Sequence, residues 1–208
     1  RLEIQIFASK ALIAQAPGKV YRNMHTFVNR PADLFLRMCY YNYHKMPDKR
    51  SKLKSKTLFI KNVFTRFLEI GAVCPSSIKV AKGIVAELDR TKAFRVLELG
   101  PGTGIITKEL LKVMPPASQL FALEKNPQFT RHLRANIADP RLTIYTHDVL
   151  NLQSFIEEND LCNIDYIVSG IPLSLFKPQD IHRIFRFIAD TLKPRKFIFF
   201  QYTHYIRK

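Results

Sequence analysis

Glu98 stands two residues ahead of three alternating glycines, Gly100-Pro101-Gly102-Thr103-Gly104. An apolar run, Val96-Leu97, precedes it, and the helix-like Ile105-Ile106-Thr107-Lys108-Glu109-Leu110-Leu111 follows. A buried strand that turns through glycines into a helix brings backbone close to a nucleotide-like ligand. Glycine permits the tight turn and puts no Cβ in the ligand's way. The spacing is neither the G-x-G-x-x-G of dinucleotide sites nor the G-x-x-x-x-G-K-[ST] of phosphate cradles. An acid just before the turn would repel a pyrophosphate and suits a cationic ligand. A second acid, Glu124, ends the run Gln119-Leu120-Phe121-Ala122-Leu123. That is about 20 residues past the turn, where a carboxylate can accept hydrogen bonds from both hydroxyls of a ribose. A solvated strand-end acid is the plainer alternative.

These groups need a sheet to hold them. Val96–Leu99, Gln119–Leu123, Leu142–Tyr145, Asp165–Val168 and Lys196–Tyr202 read as strands, separated by helical stretches. Such alternation implies a mostly parallel α/β sheet. Pro127 opens a helix over Gln128–Asn136, since proline suits a first helical turn. Gly71-Ala72-Val73-Cys74-Pro75-Ser76-Ser77 reads as a turn into a helix at Ile78–Leu88, with Ser76 and Ser77 as caps. Gln179–Leu192 is an amphipathic helix that Pro194 ends. Asp148, after the third strand, is placed to cap a helix around Leu152–Glu158, and His147 reads as an ordinary loop histidine.

The E-x-G-x-G-x-G pattern, with Glu124 and Asp148 following in order, resembles the class I S-adenosylmethionine (SAM)-dependent methyltransferases. The resemblance implies a Rossmann-like sheet and SAM as cofactor, a ligand carrying a sulfonium and an ammonium. It implies cofactor contacts at Glu98, Gly100, Gly102, Gly104 and Glu124. Asp148 would accept from the adenine amino group, and Val149 would pack on the adenine face. The segment before the domain, with Ser76 and Ser77, would fold over the cofactor. Ser169-Gly170-Ile171-Pro172-Leu173, after the fourth strand, would lie beside the transferable methyl group, making Ser169, Gly170, Pro172 and Leu173 the acceptor-site candidates. The usual sheet of this class has seven strands with an antiparallel hairpin after the fifth. The expectation for this chain is therefore a sheet with truncated C-terminal strands.

Charge points to an acidic partner. The 208 residues carry 33 Lys and Arg against 17 Asp and Glu, a net charge of +16. Basic residues crowd the first 61 positions, with Lys45, Lys49, Arg50, Lys52, Lys54 and Lys56 among them. RNA and anionic membrane surfaces are the candidates. The chain divides into a basic, partly helical extension over 1–55 and a catalytic domain over 56–208. Within the extension, Ile4–Gln15 and Asp33–Tyr43 read as helices, and Thr57–Ile70 is a further aromatic-rich one. Lys10 and Pro17 argue against a signal peptide at Ile4–Ala16. Cys39, Cys74 and Cys162 have no metal-ligand spacing, so the expectation is a reduced cytoplasmic setting with no metal.

The Gly-Ala-Val-Cys-Pro-Ser-Ser, Ser-Gly-Ile-Pro-Leu and Phe200-Gln201-Tyr202-Thr203 segments sharpen the resemblance. Together with the glycine motif and Glu124-Lys125-Asn126-Pro127 they are most similar to the bacterial phospholipid N-methyltransferases that act on phosphatidylethanolamine. What this implies is methyl transfer to a lipid headgroup amine, by an enzyme peripheral to the inner face of the membrane. The alternative is a ribosomal RNA adenine N6-dimethyltransferase. Those enzymes share Glu-Leu-Gly-Pro-Gly-Thr-Gly but carry Asn-Leu-Pro-Tyr after strand four, where this chain has Ser169 and Leu173. A SAM-fold accessory protein that has lost catalysis and binds RNA or membrane is a third reading.

Overall fold

The central strands are apolar at nearly every position, and successive side chains point to opposite faces, which divides the core into two layers. The computed structural model describes residues 3–8, 75–171 and 176–201. Strands β1 (Glu3–Ala8), β2 (Arg95–Leu99), β3 (Gln119–Glu124), β4 (Leu142–Thr146), β5 (Tyr166–Ser169) and β6 (Lys196–Gln201) form one sheet. Its order is β1-β6-β5-β2-β3-β4, and every pair is parallel. Helices α1 (Pro75–Ala86), α2 (Ile105–Val113), α3 (Pro127–Asn136), α4 (Leu152–Glu158) and α5 (Pro178–Phe187) lie between strands in the chain.

Two apolar layers follow from the period of two. Leu97, Leu99, Phe121, Leu123, Ile167, Phe197 and Phe199 face one side, where Leu152, Phe155 and Ile156 of α4 and Ile181, Ile184 and Phe185 of α5 meet them. Val96, Leu120, Tyr166, Val168, Ile198 and Phe200 face the other, packed with Ala81, Ile84 and Val85 of α1 and Ile106, Leu110 and Leu111 of α2. Each fully buried Leu or Ile contributes about 1.5–3 kcal/mol by leaving water. Strands buried on both faces are the normal state of a parallel sheet.

The chain winds outward from β2 through β3 to β4, then returns to the other side of β2 as β5 and continues to β6. Strand order thus reverses between β2 and β5, whose carboxyl ends carry Gly100 and Gly170. Ligands of open α/β sheets bind in the crevice outside such a switch point.

Several expectations require correction. Glu3–Ala8 is a strand, not the start of a helix, and it pairs in register with Lys196–Gln201. The alternation Glu3-Ile4-Gln5-Ile6 and its β-branched residues fit a pleat better than a helix. The sheet therefore has six strands rather than five, with β1 beside β6. Helix α1 begins at Pro75, so Ser76 and Ser77 lie inside its first turn instead of capping it from outside. Proline at the first helical position explains the earlier start. The helix foreseen over Gln179–Leu192 is α-helical through Phe187 and closes in a π-turn, Ile188–Leu192. Lys193 (φ 45°) caps it, ahead of Pro194. The stretches 33–43, 57–70 and 71–74, Pro172, Leu173 and Tyr202, and the division at 55/56, lie outside the described residues. Among the described residues, no helix is long and apolar enough to cross a membrane and no His/Cys/Asp/Glu cluster could hold a metal.

Arg141 fixes the far end of α2, the helix that starts at the glycine turn. Its Nη1 donates to the Met114 carbonyl (2.6 Å) and its Nη2 to that of Leu111 (2.7 Å), while Asp139 aligns the guanidinium. These carbonyls have no partner within the helix. Arg141→Ala is expected to cost about 2 kcal/mol, lowering Tm by roughly 4–8 °C. An unchanged melting curve would show that the clamp is dispensable.

Candidate functional site: the crevice over the glycine turn

Gly100 (φ 72°), Gly102 (φ 57°) and Gly104 (φ 82°) all take left-handed backbone. The turn is tied to both neighbouring strands: the Gly100 N–H donates to the Leu123 carbonyl, and the Gly170 N–H donates to that of Leu99, each at 2.9 Å. Two of the glycines face different surroundings. A Cβ on Gly104 would lie 2.6 Å from Leu133 Cδ2 and 2.9 Å from Ile137 Cδ1, so this glycine lets α3 pack onto the turn. Among the described residues, a Cβ on Gly102 would meet nothing within 4 Å. That is the open side of the turn, the space a ligand can take.

Glu98 lies on the sheet face that is otherwise Val96, Val168 and Ile198, and it is 1% exposed. Its Oε2 accepts a hydrogen bond from the Thr107 hydroxyl in the first turns of α2 at 2.8 Å. Its Oε1 has no hydrogen-bond partner among the described residues. Burial pushes its carboxyl up to about 8, against the opposing Thr107 bond, and the charge of Glu124 adds to the rise. Glu98 is thus set beneath the turn, where it shapes the field rather than offering a surface contact.

Glu124 ends β3 on the same face, two residues beyond Ala122, which pairs with Glu98. Its Oε2 accepts the Gly102 N–H (3.1 Å) and its Oε1 accepts the Asn126 N–H (2.8 Å). Burial raises this carboxyl also, while those backbone donors hold it down. Each oxygen keeps a second lone pair, so ribose hydroxyls can still be accepted. The donor set therefore fits a nucleoside diol beside the open face of Gly102.

Asp148 does two jobs. Its Oδ1 caps the single 3₁₀ turn Val149–Asn151 by accepting the Leu150 N–H, and its Oδ2 pairs with Lys125 Nζ at 2.5 Å. The capping role belongs to that turn rather than directly to α4. Val149 is buried in the core beneath. His147 lies half-buried in the loop after β4, as expected of an ordinary loop histidine. Its ring lies against Phe155 (centroids 4.9 Å apart), its N–H donates to the Glu124 carbonyl, and Nε2 is buried without a partner.

The segment after β5 closes the crevice from the other side. Ser169 is 2% exposed, and Ile171 contacts the turn, 3.3 Å from where a Gly100 Cβ would stand. Gly170 is fixed by packing, because a Cβ there would come within 2.7 Å of the Phe200 ring and 3.2 Å of the Gly100 carbonyl. The structure thus brings Glu98, Gly100, Gly102, Gly104, Glu124, Ser169 and Gly170 together at the switch point, with Asp148 at the next strand end. Of Ser76 and Ser77 it gives helical backbone only. Sequence reasoning missed Thr107, Lys125 and Phe200 as partners. Each meets its acid or glycine through a long sequence separation or a neighbouring strand, which no local spacing records.

Comparison with known proteins agrees with this geometry. The family model for ribosomal RNA adenine dimethylases matches residues 76–192, more than half the chain. An ornithine lipid N-methyltransferase of Singulisphaera acidiphila is 31% identical over 144 residues, 68% of this chain and 74% of that protein. A ribosomal RNA small subunit methyltransferase A of Parasynechococcus marenigrum is 35% identical over 96 residues, 46% of this chain and 30% of that protein. The chain spans less than half the length of the ribosomal RNA and dimethyladenosine enzymes it matches. Among solved structures, a SAM-dependent O-methyltransferase of Thermotoga maritima aligns with a TM-score of 0.42 and 22% identity, covering 54% of this chain and 39% of that one. Fold and site define a class I SAM-dependent methyltransferase. The chain belongs to the ribosomal RNA adenine dimethylase family, and its cofactor is SAM.

Two outcomes follow. Calorimetry with S-adenosylhomocysteine should find binding abolished by Gly102→Arg, which fills the open side of the turn. Glu124→Ala should weaken it roughly ten- to hundredfold through lost charge-assisted bonds. Unchanged affinity in both would overturn the site. The second outcome concerns pH. Glu98 holds its proton more tightly when folded than at its ordinary value of 4.5, so stability falls as pH rises from 4.5 to about 8 and levels off above. Thermal melts should therefore decline over that window in the wild type and decline less in Glu98→Gln. An equally steep decline in the variant would assign the effect elsewhere.

Proposed function

We propose that this methyltransferase transfers the methyl of SAM to the primary amine of a membrane lipid headgroup, of the phosphatidylethanolamine or ornithine-lipid kind. The observation that carries the reading is the segment after β5. Set on the shared proline, the Asn-Leu-Pro-Tyr of the RNA adenine enzymes falls on Gly170-Ile171-Pro172-Leu173, so Gly170 rather than Ser169 stands where they present an amide, and it has no side-chain donor or acceptor. The Ser169 Oγ faces its own backbone, 3.5 Å from the Ile171 N–H. The similarity to an ornithine lipid N-methyltransferase over most of that enzyme's length supports the same conclusion.

SAM, when bound, would supply an electrophilic methyl on a sulfonium: a neutral amine lone pair would form the N–C bond as the S–C bond breaks, with S-adenosylhomocysteine leaving and the ammonium proton passing to solvent. The protein's part is placement. Glu124, oriented by the Gly102 and Asn126 N–H groups, would accept the ribose hydroxyls beside the turn, and Asp148 would receive the adenine amino group. Gly170, pinned between Phe200 and the Gly100 carbonyl, holds the rim where the acceptor amine arrives. Holding both reactants in a near-attack arrangement supplies most of the acceleration such a reaction needs. Binding to the inner face of an anionic membrane would follow from the excess of Lys and Arg over the first 61 residues, by electrostatics with aromatic insertion.

The family's name and the net charge favour the second reading, methylation of RNA adenine. Radiolabelled SAM offered in parallel to phosphatidylethanolamine vesicles, ornithine-lipid vesicles and ribosomal RNA separates the two. Label in either lipid and none in RNA is expected. Label confined to RNA ends the lipid reading.

A further inference from the structure

Glu98 is a carboxyl group with no compensating cation. On its own strand face the neighbours are apolar, and β5 sets Val168 directly beside it. From α2 it receives one neutral hydroxyl, Thr107, and from β3 it faces a second acid, Glu124. Among the described residues no positively charged group acts on it, and its Oε1 is unpartnered at 1% exposure. Two acids on one sheet face, beside the open side of a glycine turn, cannot both ionise cheaply in a dry setting. Glu124 takes backbone N–H bonds on both oxygens, from Gly102 and Asn126, whereas the more deeply buried Glu98 has only the Thr107 hydroxyl and, as its smallest contribution, the Thr107 backbone N–H to favour its charged form. The proton therefore resides on Glu98 in the ligand-free protein.

A ligand that brings positive charge to this turn supplies what Glu98 lacks. We propose that cofactor loading is proton-coupled: Glu98 is a neutral acid in the free enzyme and ionises as SAM binds, its O–H proton passing to solvent. The inference rests on SAM being the cofactor and goes beyond it by giving Glu98 a role as proton donor on binding. Thr107 sets the poise, since its hydroxyl bond favours the ionised form. Free-enzyme ionisation centred near pH 8 makes affinity rise with pH below that value, by up to about tenfold per unit, and level off above it.

The test is titration calorimetry of the full chain with SAM at pH 7 in buffers of different ionisation enthalpy. The wild type should release close to one proton per SAM, falling towards zero well above pH 8. Glu98→Gln should bind with no buffer dependence. Thr107→Val removes the bond that favours the carboxylate, so release should persist to higher pH. That variant, with the wild type's own pH series, keeps the test decisive if the glutamine variant does not fold. Binding without proton release in the wild type would overturn the proposal and leave the cofactor assignment intact. Equal release in Glu98→Gln would overturn it in favour of another group. No SAM binding to the wild type would remove the cofactor assignment itself, and the proposal with it.

Discussion

The parallel pairing of β2 with β5 is the constraint on which the site depends. It sets Leu99 opposite Ser169, so the glycine turn and the acceptor-side segment leave the sheet side by side. The register is set by burial on both faces: slipping one strand by a residue would exchange Leu97 and Leu99 with Val96 and Glu98 between the layers. Such a slip would carry the carboxyl of Glu98 away from Thr107 into the layer of Phe197 and Phe199. Packing on both sides of the sheet thus locks the chemistry at its edge. The contact of Ile171 with the turn, and of Gly170 with Phe200, turns that register into a defined crevice wall.

A buried acid on an apolar face is costly, and the structure keeps it without fully satisfying it. One oxygen of Glu98 is bonded and one is not. Replacing the acid by a leucine would suit the layer of Val96 and Ile198 better for folding alone. Partially satisfied polar groups in cores are where sequences depart from what packing asks, and such departures collect at functional sites. Glu124 shows the complementary solution. It lies at the strand end where backbone N–H groups of Gly102 and Asn126 can reach it, so its charge is held by the turn it serves.

Much of this was legible in the sequence because local rules carried it. The glycine spacing gave the turn, and Pro127 behind Asn126 gave the start of α3, where Asn126 caps the helix. Short continuous apolar runs bounded by turn residues gave β2, β3, β5 and β6. What failed was non-local or ambiguous. Glu3–Ala8 is short and apolar enough to read as either element, and its pairing with β6 spans nearly the whole chain. Ser76 and Ser77 were misplaced by the weight given to capping chemistry over the proline before them. Thr107 lies nine residues from Glu98, with the glycine turn and the first two residues of α2 between them, and nothing in the intervening pattern announces the bond.

One scaffold can serve acceptors as unlike as a lipid amine and a nucleobase because displacement at a methyl carbon asks little covalent help from the protein. On the proposed reading the cofactor side is built from strand ends and backbone: Gly100, Gly102, Glu124 and Asp148 sit where β2, β3 and β4 stop. These positions are fixed by the sheet and tolerate little change. The acceptor side hangs on the few residues after β5, where Gly170 alone is locked by its neighbours and Ser169 and Ile171 carry the side-chain character. Selectivity can therefore move by substitution at that rim while cofactor geometry stays put. On the lipid reading, Gly170 and the aliphatic Ile171 bring no side-chain hydrogen-bonding group to the rim and the Ser169 hydroxyl is buried, so this stretch need not hydrogen-bond a base edge. A site lacking base-reading groups leaves none of its own polar groups unpaired when an alkylamine headgroup enters, which is how such a rim would discriminate.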